Sequence, residues 1–315
     1  MHQGLIAAGG FTATSRPARP SLGPHVLGRR VAEANPWALV HDWRRLLSAV
    51  REGLATCGAA AVAHEQQTTV AALRSRQIRP RRIAVIGANG GVGTTTTAAL
   101  LASALAASRD DQTLLLTVHS DASDAATRLG VRHAPSVSEV LAGLRRHGQI
   151  PPTPVTGSGL RVLSAPPPGS TVVESGLAAL LDVATSRHAC VVVDNGVASR
   201  IGDLASVAEL VDTVVLVCGT SVDAVEATNS VLARWHAQLA ASAATHLILV
   251  PVRTRPGAGG PGHDPVERLL ADNATRHVMA HDAELARGRP IDLGLISGPS
   301  LTAALVLGAD IMARR

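Results

Sequence analysis

The pattern that most constrains the fold is a regular alternation of short apolar runs with helical stretches, which begins near residue 81. The apolar runs, each predicted to form a strand, cover 83–86, 114–118, 160–163, 189–193, 213–218, 247–250 and 277–280. Helices are predicted near 95–107, 136–146, 174–187, 222–240, 264–273 and 299–313. Strands that are apolar throughout are buried on both faces, and strands separated by helices pair in parallel. The sequence therefore predicts an α/β fold with a mostly parallel sheet covered by helices on both faces.

The first 80 residues lack this alternation. Residues 1–33 are rich in Gly, Ala, Ser, Pro and Arg, which predicts a disordered tail. Asn35-Pro36 then caps a helix with Pro at its first position. An apolar stripe follows at Leu39, Trp43, Leu46, Leu47, Val50 and Leu54. We interpret 34–80 as an N-terminal helical extension with a linker, packed on a main domain at 81–315, and prefer this to a partner-binding helix.

Composition favours a cytoplasmic protein with a core of small apolar side chains. Hydrophobic residues make up 46% of the chain but aromatic residues only 1%, so Ala, Val and Leu must fill the core. The apolar runs are much shorter than the roughly 20 residues of a membrane span. Cys57, Cys190 and Cys218 form no C-x-x-C pair, and the last two are predicted to be buried small hydrophobes. The histidines show no metal-binding spacing, so no histidine or cysteine metal site is predicted.

All basic side chains of the chain are arginines, because the sequence contains no lysine. The 29 basic residues exceed the 24 acidic ones and give a net charge of +5. The densest group is Arg74, Arg76, Arg79, Arg81 and Arg82. It is interpreted as a solvated linker in preference to a surface for phosphates or anionic lipid. The charge pattern gives no strong signal for nucleic-acid binding.

A glycine-rich turn joins the first predicted strand to the first predicted helix of the main domain. It reads Gly87-Ala88-Asn89-Gly90-Gly91-Val92-Gly93-Thr94-Thr95-Thr96-Thr97. In such a turn, successive backbone N–H groups converge on an anion at the helix N-terminus. A working phosphate loop also needs a lysine after its last glycine and a hydroxyl residue next to it for Mg²⁺. Thr94 holds the lysine position and Thr95 the Mg²⁺ position, so a turn without a ligand remains an alternative, whereas the dinucleotide pattern G-x-G-x-x-G does not fit.

The segment Asn89 to Thr96 resembles the deviant Walker A motif, Lys-Gly-Gly-Val-Gly-Lys-Thr-Thr, of the MinD/ParA ATPases. More narrowly, the chain is similar to the EspI-type MinD-like ATPases associated with type VII (ESX) secretion in actinobacteria. The segments that carry this resemblance, in order, are Trp43-Arg44-Arg45-Leu46, Arg82-Ile83-Ala84-Val85, Leu101-Ala102-Ser103 through Arg109-Asp110, His281-Asp282-Ala283-Glu284-Leu285, Gly288 and Ile291-Asp292-Leu293. The resemblance covers about residues 43–313 and implies a P-loop NTPase fold.

Carried over residue by residue, the resemblance gives an incomplete site. The signature lysine, which reaches the nucleotide of the partner subunit, falls on Asn89, and the Walker lysine falls on Thr94. The Asp that positions the attacking water falls on Thr117. Asp194 takes the Walker B position, where it holds Mg²⁺ with Thr95 or, alternatively, only caps the turn at Asn195-Gly196. The predicted nucleotide site is Asn89, Gly90, Gly91, Val92, Gly93, Thr94, Thr95, Thr96, Asp194 and Arg253, with Arg253 lining the base and no residue predicted to be catalytic.

These residues predict a pseudo-ATPase of the MinD/ParA type, with weak or absent binding of ATP and Mg²⁺. The expected role is a scaffold or regulator of type VII secretion, with secretion components or an active homologue as partner. The alternative is a slow, ATP-dependent homodimerising switch for positioning or partitioning. A third hypothesis is a positioning protein associated with DNA or with the inner face of the membrane. The stretch 301–315 resembles a membrane-targeting helix, although a core-packing helix there is preferred.

Overall fold

The computed structural model describes residues 60–119, 124–148, 150–170, 172, 174–201, 204–239, 245–256 and 277–314, with side chains from residue 67 onward. The predicted tail at 1–33, the apolar stripe from Leu39 to Leu54, Cys57 and the predicted helix at 264–273 lie outside this part of the chain. A helix, α1 (Ala60–Leu73), lies within the predicted extension.

Six parallel strands form one sheet in the order β3-β2-β4-β1-β5-β6. The strands are β1 (Arg81–Gly87), β2 (Thr113–Thr117), β3 (Arg161–Leu163), β4 (Cys190–Val197), β5 (Thr213–Gly219) and β6 (His246–Val252). The central strand β1 pairs in parallel with β4 on one side and β5 on the other. The predicted α/β fold with a buried parallel sheet is confirmed.

Helices cover both faces of the sheet. Successive residues of a strand point to opposite faces, and because both sets of side chains are apolar, both faces must be buried. Ile83 and Val85 pack in one apolar cluster, whereas Ala84 and Ile86 pack in another on the opposite face. The remaining helices are α2 (Thr94–Ser108), α3 (Ala125–Arg128), α4 (Val137–His147), α5 (Glu174–Thr185), α6 (Leu204–Leu210), α7 (Val222–Leu239), α8 (Ala283–Ala286) and α9 (Gly298–Ala313), with a 3₁₀ turn at Ala198–Arg200. Cys190 and Cys218 are buried in their strands, as predicted.

The C-terminal helix α9 is part of the core. Leu301, Leu307 and Ile311 are each at most 1% exposed and belong to the cluster that contains α2 and the end of α1. Gly308 lets Leu73 of α1 approach, since a Cβ on Gly308 would lie 3.0 Å from Leu73 Cδ2. The core-packing interpretation of this helix is therefore confirmed. Among the helices of the described residues, none is long and apolar enough to cross a membrane.

The prediction of a strand at 277–280 is wrong, because this segment does not form a strand of the sheet. The segment lies beside β6 and forms one isolated parallel bridge, Val252 with Met279. Met279 N–H donates to Pro251 O at 2.8 Å, and Arg253 N–H donates to Met279 O at 3.0 Å. The pairing ends there because Asp282, three residues further on, caps the N-terminus of α8. The short helices α3, α6 and α8 were not predicted, since four to seven residues are too few to display a helical period.

Candidate nucleotide-binding site

The glycine-rich turn lies at the carboxyl end of β1, in the middle of the sheet, and leads directly into α2. Two of its glycines adopt positive φ, 76° at Gly91 and 93° at Gly93, a conformation that other residues seldom adopt. Gly93 is the N-cap of α2. The free N–H groups of the first helical turn follow it and carry a partial positive charge. The loop therefore has a backbone suited to an anion.

Thr94 turns its hydroxyl toward the end of β1. A Cβ placed on Gly87 would lie 2.1 Å from Thr94 Oγ1, so the hydroxyl rests directly against the Gly87 backbone. Thr94 and Thr95 are only 8% and 7% exposed. At the position that the sequence resemblance assigns to the Walker lysine, the chain thus carries a buried, neutral hydroxyl packed into the floor of the loop.

A cavity of ≈ 420 Å³ opens between this loop and the segment around α8. Seven of the predicted site residues line it, namely Gly90, Gly91, Gly93, Thr94, Thr95, Thr96 and Arg253. Asn89 and Val92 instead line a second cavity of ≈ 440 Å³ on the other side of the loop, next to Thr220. Asp194 lines neither of these cavities and is 0% exposed. The geometry therefore gathers the loop and Arg253 and leaves Asp194 beneath them.

The carboxylate of Asp194 faces two neighbours, Gly196 and His119. Its Oδ1 accepts a hydrogen bond from Gly196 N–H at 3.2 Å, which is a turn-capping contact. Its Oδ2 lies 3.1 Å from His119 Nε2. The His119 ring packs against Gly196, where a Cβ would come within 2.9 Å of the ring. A metal ion bound at Oδ2 of Asp194 would require the His119 ring to move aside.

Thr117, at the position where the sequence resemblance places a water-positioning Asp, is fully buried at the end of β2. Its Oγ1 accepts a hydrogen bond from Ala125 N–H, the first residue of α3, at 3.4 Å. This hydroxyl supports the start of a helix and does not line the cavity.

Among the residues of the cavity wall that sequence reasoning missed are His119 and Arg128. His119 follows β2 at the carboxyl edge of the sheet, where ligand-binding side chains of parallel sheets gather, and that placement could have identified it. Arg128, at the end of α3, is 7% exposed and donates from Nη2 to Thr96 Oγ1 at 3.0 Å. No local pattern marks it, because 32 residues separate it from Thr96.

The opposite wall is held in place by Asp282. Its Oδ1 accepts hydrogen bonds from Glu284 N–H and Leu285 N–H, and its Oδ2 accepts one from Ser297 N–H at 2.8 Å. Burial alone raises the pKa of Asp282, but the hydrogen bonds from Ser297, Leu285 and Ser300 outweigh it and lower the pKa below 3.8. The ionised carboxylate therefore fastens both α8 and the start of α9.

Comparison with known proteins identifies the fold. No protein-family model and no curated protein matches the chain. Among solved structures, it is similar to a ParA family ATPase from Chlorobium tepidum TLS, with a TM-score of 0.56 and 17% identity over 75% of this chain and 98% of that one. The cell division protein MinD from Aquifex aeolicus gives a TM-score of 0.56 and 18% identity over 75% and 98%. The septum site-determining protein MinD from Pyrococcus horikoshii, solved with Mg-ADP, gives 0.53 and 17% over 72% and 94%. Identities this low establish architecture alone, and the chain accordingly has the P-loop fold of the MinD and ParA ATPases.

Proposed function

We propose that this chain binds an adenine nucleotide at its glycine-rich loop, hydrolyses it slowly or not at all, and acts as a regulatory or scaffolding protein. One observation carries the proposal: the loop keeps an anion-binding backbone beside a cavity, with Asn89 and Thr94 at the two lysine positions. One MinD of the same fold was solved with Mg-ADP. Nucleotide contacts in this chain come from backbone N–H groups, Thr95 and Thr96, with Arg253 beside the base.

Slow hydrolysis follows from the missing groups. Loss of one cation that stabilises the phosphoryl-transfer transition state costs on the order of 10³–10⁵ in rate. Two such positions are neutral here, and Thr117 donates no carboxylate to position water. These losses are not additive, but each lowers the rate. Binding suffers less, because one charge-assisted hydrogen bond contributes only about 1.5–3 kcal/mol.

Calorimetric titration with ATP, with and without Mg²⁺, tests binding, and phosphate release over hours tests turnover. We expect binding in the micromolar to millimolar range, no burst, and slow turnover or none. The paired substitution Asn89→Lys with Thr94→Lys restores both cations and should tighten ATP binding at least tenfold. Asn229→Lys with Ser230→Lys adds the same two positive charges at exposed positions of α7 and should leave affinity unchanged. Absence of binding at millimolar ATP, or turnover like that of an intact ATPase, would refute the proposal.

The cellular role we propose is in type VII secretion, in the cytoplasm and at most peripherally at the membrane. Its support is the ordered set of sequence segments between residues 43 and 313, and its partners would be secretion components or an active homologue. Deleting the gene for this chain from a strain with an active system should change export of that system's substrates. Complementing the deletion with the Arg253→Ala variant tests whether export depends on the nucleotide contact of Arg253. Unchanged export after deletion would remove this part of the proposal.

The alternative is a slow dimerising switch. The surface position of Gly90 and Gly91, both exposed at the tip of the loop, favours it because a second copy could approach the nucleotide there. Light scattering after size-exclusion chromatography, with and without ATP, distinguishes the two. ATP-dependent dimerisation that Thr95→Ala abolishes would favour the switch, whereas a mass that is insensitive to nucleotide would favour the scaffold.

A further inference from the structure

Arg128 is a buried arginine at the wall of the main cavity. Its guanidinium donates to Thr96 Oγ1 at 3.0 Å and to Leu285 O at 3.1 Å, and it also donates to Arg289 O. These three acceptors are neutral. Together they hold the planar guanidinium between the first turn of α2 and the segment around α8.

The positive charge of Arg128 has no carboxylate partner within ion-pair distance among the described residues. The nearby carboxylate of Glu284 pairs with two other arginines. Its Oε2 lies 2.7 Å from Arg287 Nη1 and 3.3 Å from Arg289 Nη2. Burial lowers the pKa of Arg128, and the charge of Glu284 only partly opposes this. Since buried charges in proteins are normally paired, a buried guanidinium of this kind is suited to an anion that arrives from outside.

The anion would lie beside the N-terminus of α2, because Arg128 contacts Thr96, the third residue of that helix. The N-terminus of α2 and Arg128 both present positive charge to the same cavity. Asp282 is the carboxylate in the cavity lining, and its oxygens already accept the N–H groups of Glu284, Leu285 and Ser297. An extended chain of phosphates suits this arrangement, because its charge offsets that of the guanidinium and its oxygens can accept from the N–H groups that Thr96, Leu285 and Arg289 leave unused.

We propose that Arg128 is the phosphate-binding cation of this site and supplies, from the end of α3, the charge that Asn89 and Thr94 do not. The ligand class is a linear polyphosphate chain, either free or as part of a nucleoside di- or triphosphate. Only the nucleoside part rests on the proposed function. In this assignment Arg128 contacts the phosphates, while Arg253 remains at the base.

Calorimetric titrations with ATP, inorganic tripolyphosphate and adenosine test the assignment in the wild-type chain and in Arg128→Gln. The substitution should weaken ATP and tripolyphosphate binding about tenfold to a hundredfold, the size expected for one charge-assisted contact. Adenosine binding should stay unchanged. Arg234→Gln is the matched control, because Arg234 also donates to two carbonyls, Ala198 O and Ile201 O, and none of these three residues lines the cavity. A purely structural role would weaken all three ligands alike or none.

The outcomes separate the two proposals. ATP binding that Arg128→Gln leaves within twofold of wild type overturns the role of Arg128 and leaves the nucleotide proposal standing. Tripolyphosphate binding that depends on Arg128, without ATP binding, removes the nucleotide proposal and supports Arg128. No binding of either ligand to the wild-type chain overturns both. If Arg128→Gln does not fold, the Arg128 Nε–Hε resonance of the wild-type chain, assigned with Arg128→Lys, should shift on addition of tripolyphosphate, and an unmoved resonance overturns the assignment.

Discussion

Gly87→Ala probes the packing between the end of β1 and the hydroxyl of Thr94. The new Cβ would start 2.1 Å from Thr94 Oγ1, and real Cβ contacts are essentially never below 3.0 Å. Thr94 is 8% exposed, and its Oγ1 sits on the β-carbon, so it can move away only by a change of rotamer. Overpacking of this kind costs typically about 1–3 kcal/mol, so we expect a loss of that size in the free energy of unfolding. Asn89 O and Val92 Cγ2, each at 3.3 Å, need to move only slightly.

Urea denaturation followed by far-UV circular dichroism measures this loss, and two variants make it specific. Gly90→Ala, in the same loop, meets no atom within 4 Å and controls for the reduced entropy that any Gly→Ala change imposes on the unfolded chain. Thr94→Ala removes the hydroxyl, so the double variant with Gly87→Ala should recover most of the loss, a coupling of about 1–2 kcal/mol. Equal effects of Gly87→Ala and Gly90→Ala, or no recovery in the double variant, would refute the reasoning.

The remaining predictions concern the core, the cavity wall and the buried carboxylate. Leu73→Ala should cost about 2–5 kcal/mol in urea denaturation, because Leu73 is 0% exposed where it faces Gly308, and a smaller cost would mean that α1 is loosely attached. Asp282→Asn should cost about 1–3 kcal/mol at neutral pH. The native pKa of Asp282 is lowered, so its contribution to the free energy of unfolding is complete above the unfolded-state pKa and is lost as pH falls through the native pKa, which lies below 3.8. The stability difference between the wild-type chain and Asp282→Asn should therefore shrink at low pH, and a difference that does not change with pH would contradict this. His119→Ala should lower the melting temperature and make it respond to Mg²⁺, since it frees Asp194 Oδ2, whereas an equal Mg²⁺ response in the wild-type chain would contradict the described contact.

Much of the fold was readable because it depends on local pattern. Six of the seven predicted strands form the sheet, since continuous apolar runs can be buried only between two layers of helices. The segment at 277–280 has the same apolar character but pairs through one bridge only, because the cap at Asp282 ends the extended backbone. Periodicity does not report such a cap, which depends on a side chain that follows the run.

The conformation of the glycine-rich loop and the neutral side chains of Asn89 and Thr94 were also determined by sequence, since glycine placement sets backbone conformation and a neutral residue cannot supply charge. Tertiary structure alone decided what surrounds the loop. It brings His119 next to Asp194 and Arg128 next to Thr96. The two residues of each pair are far apart in the chain and meet only because β2, β4, α2 and α3 pack against one another. Contacts of this kind depend on how whole elements pack, and no run of neighbouring residues encodes them.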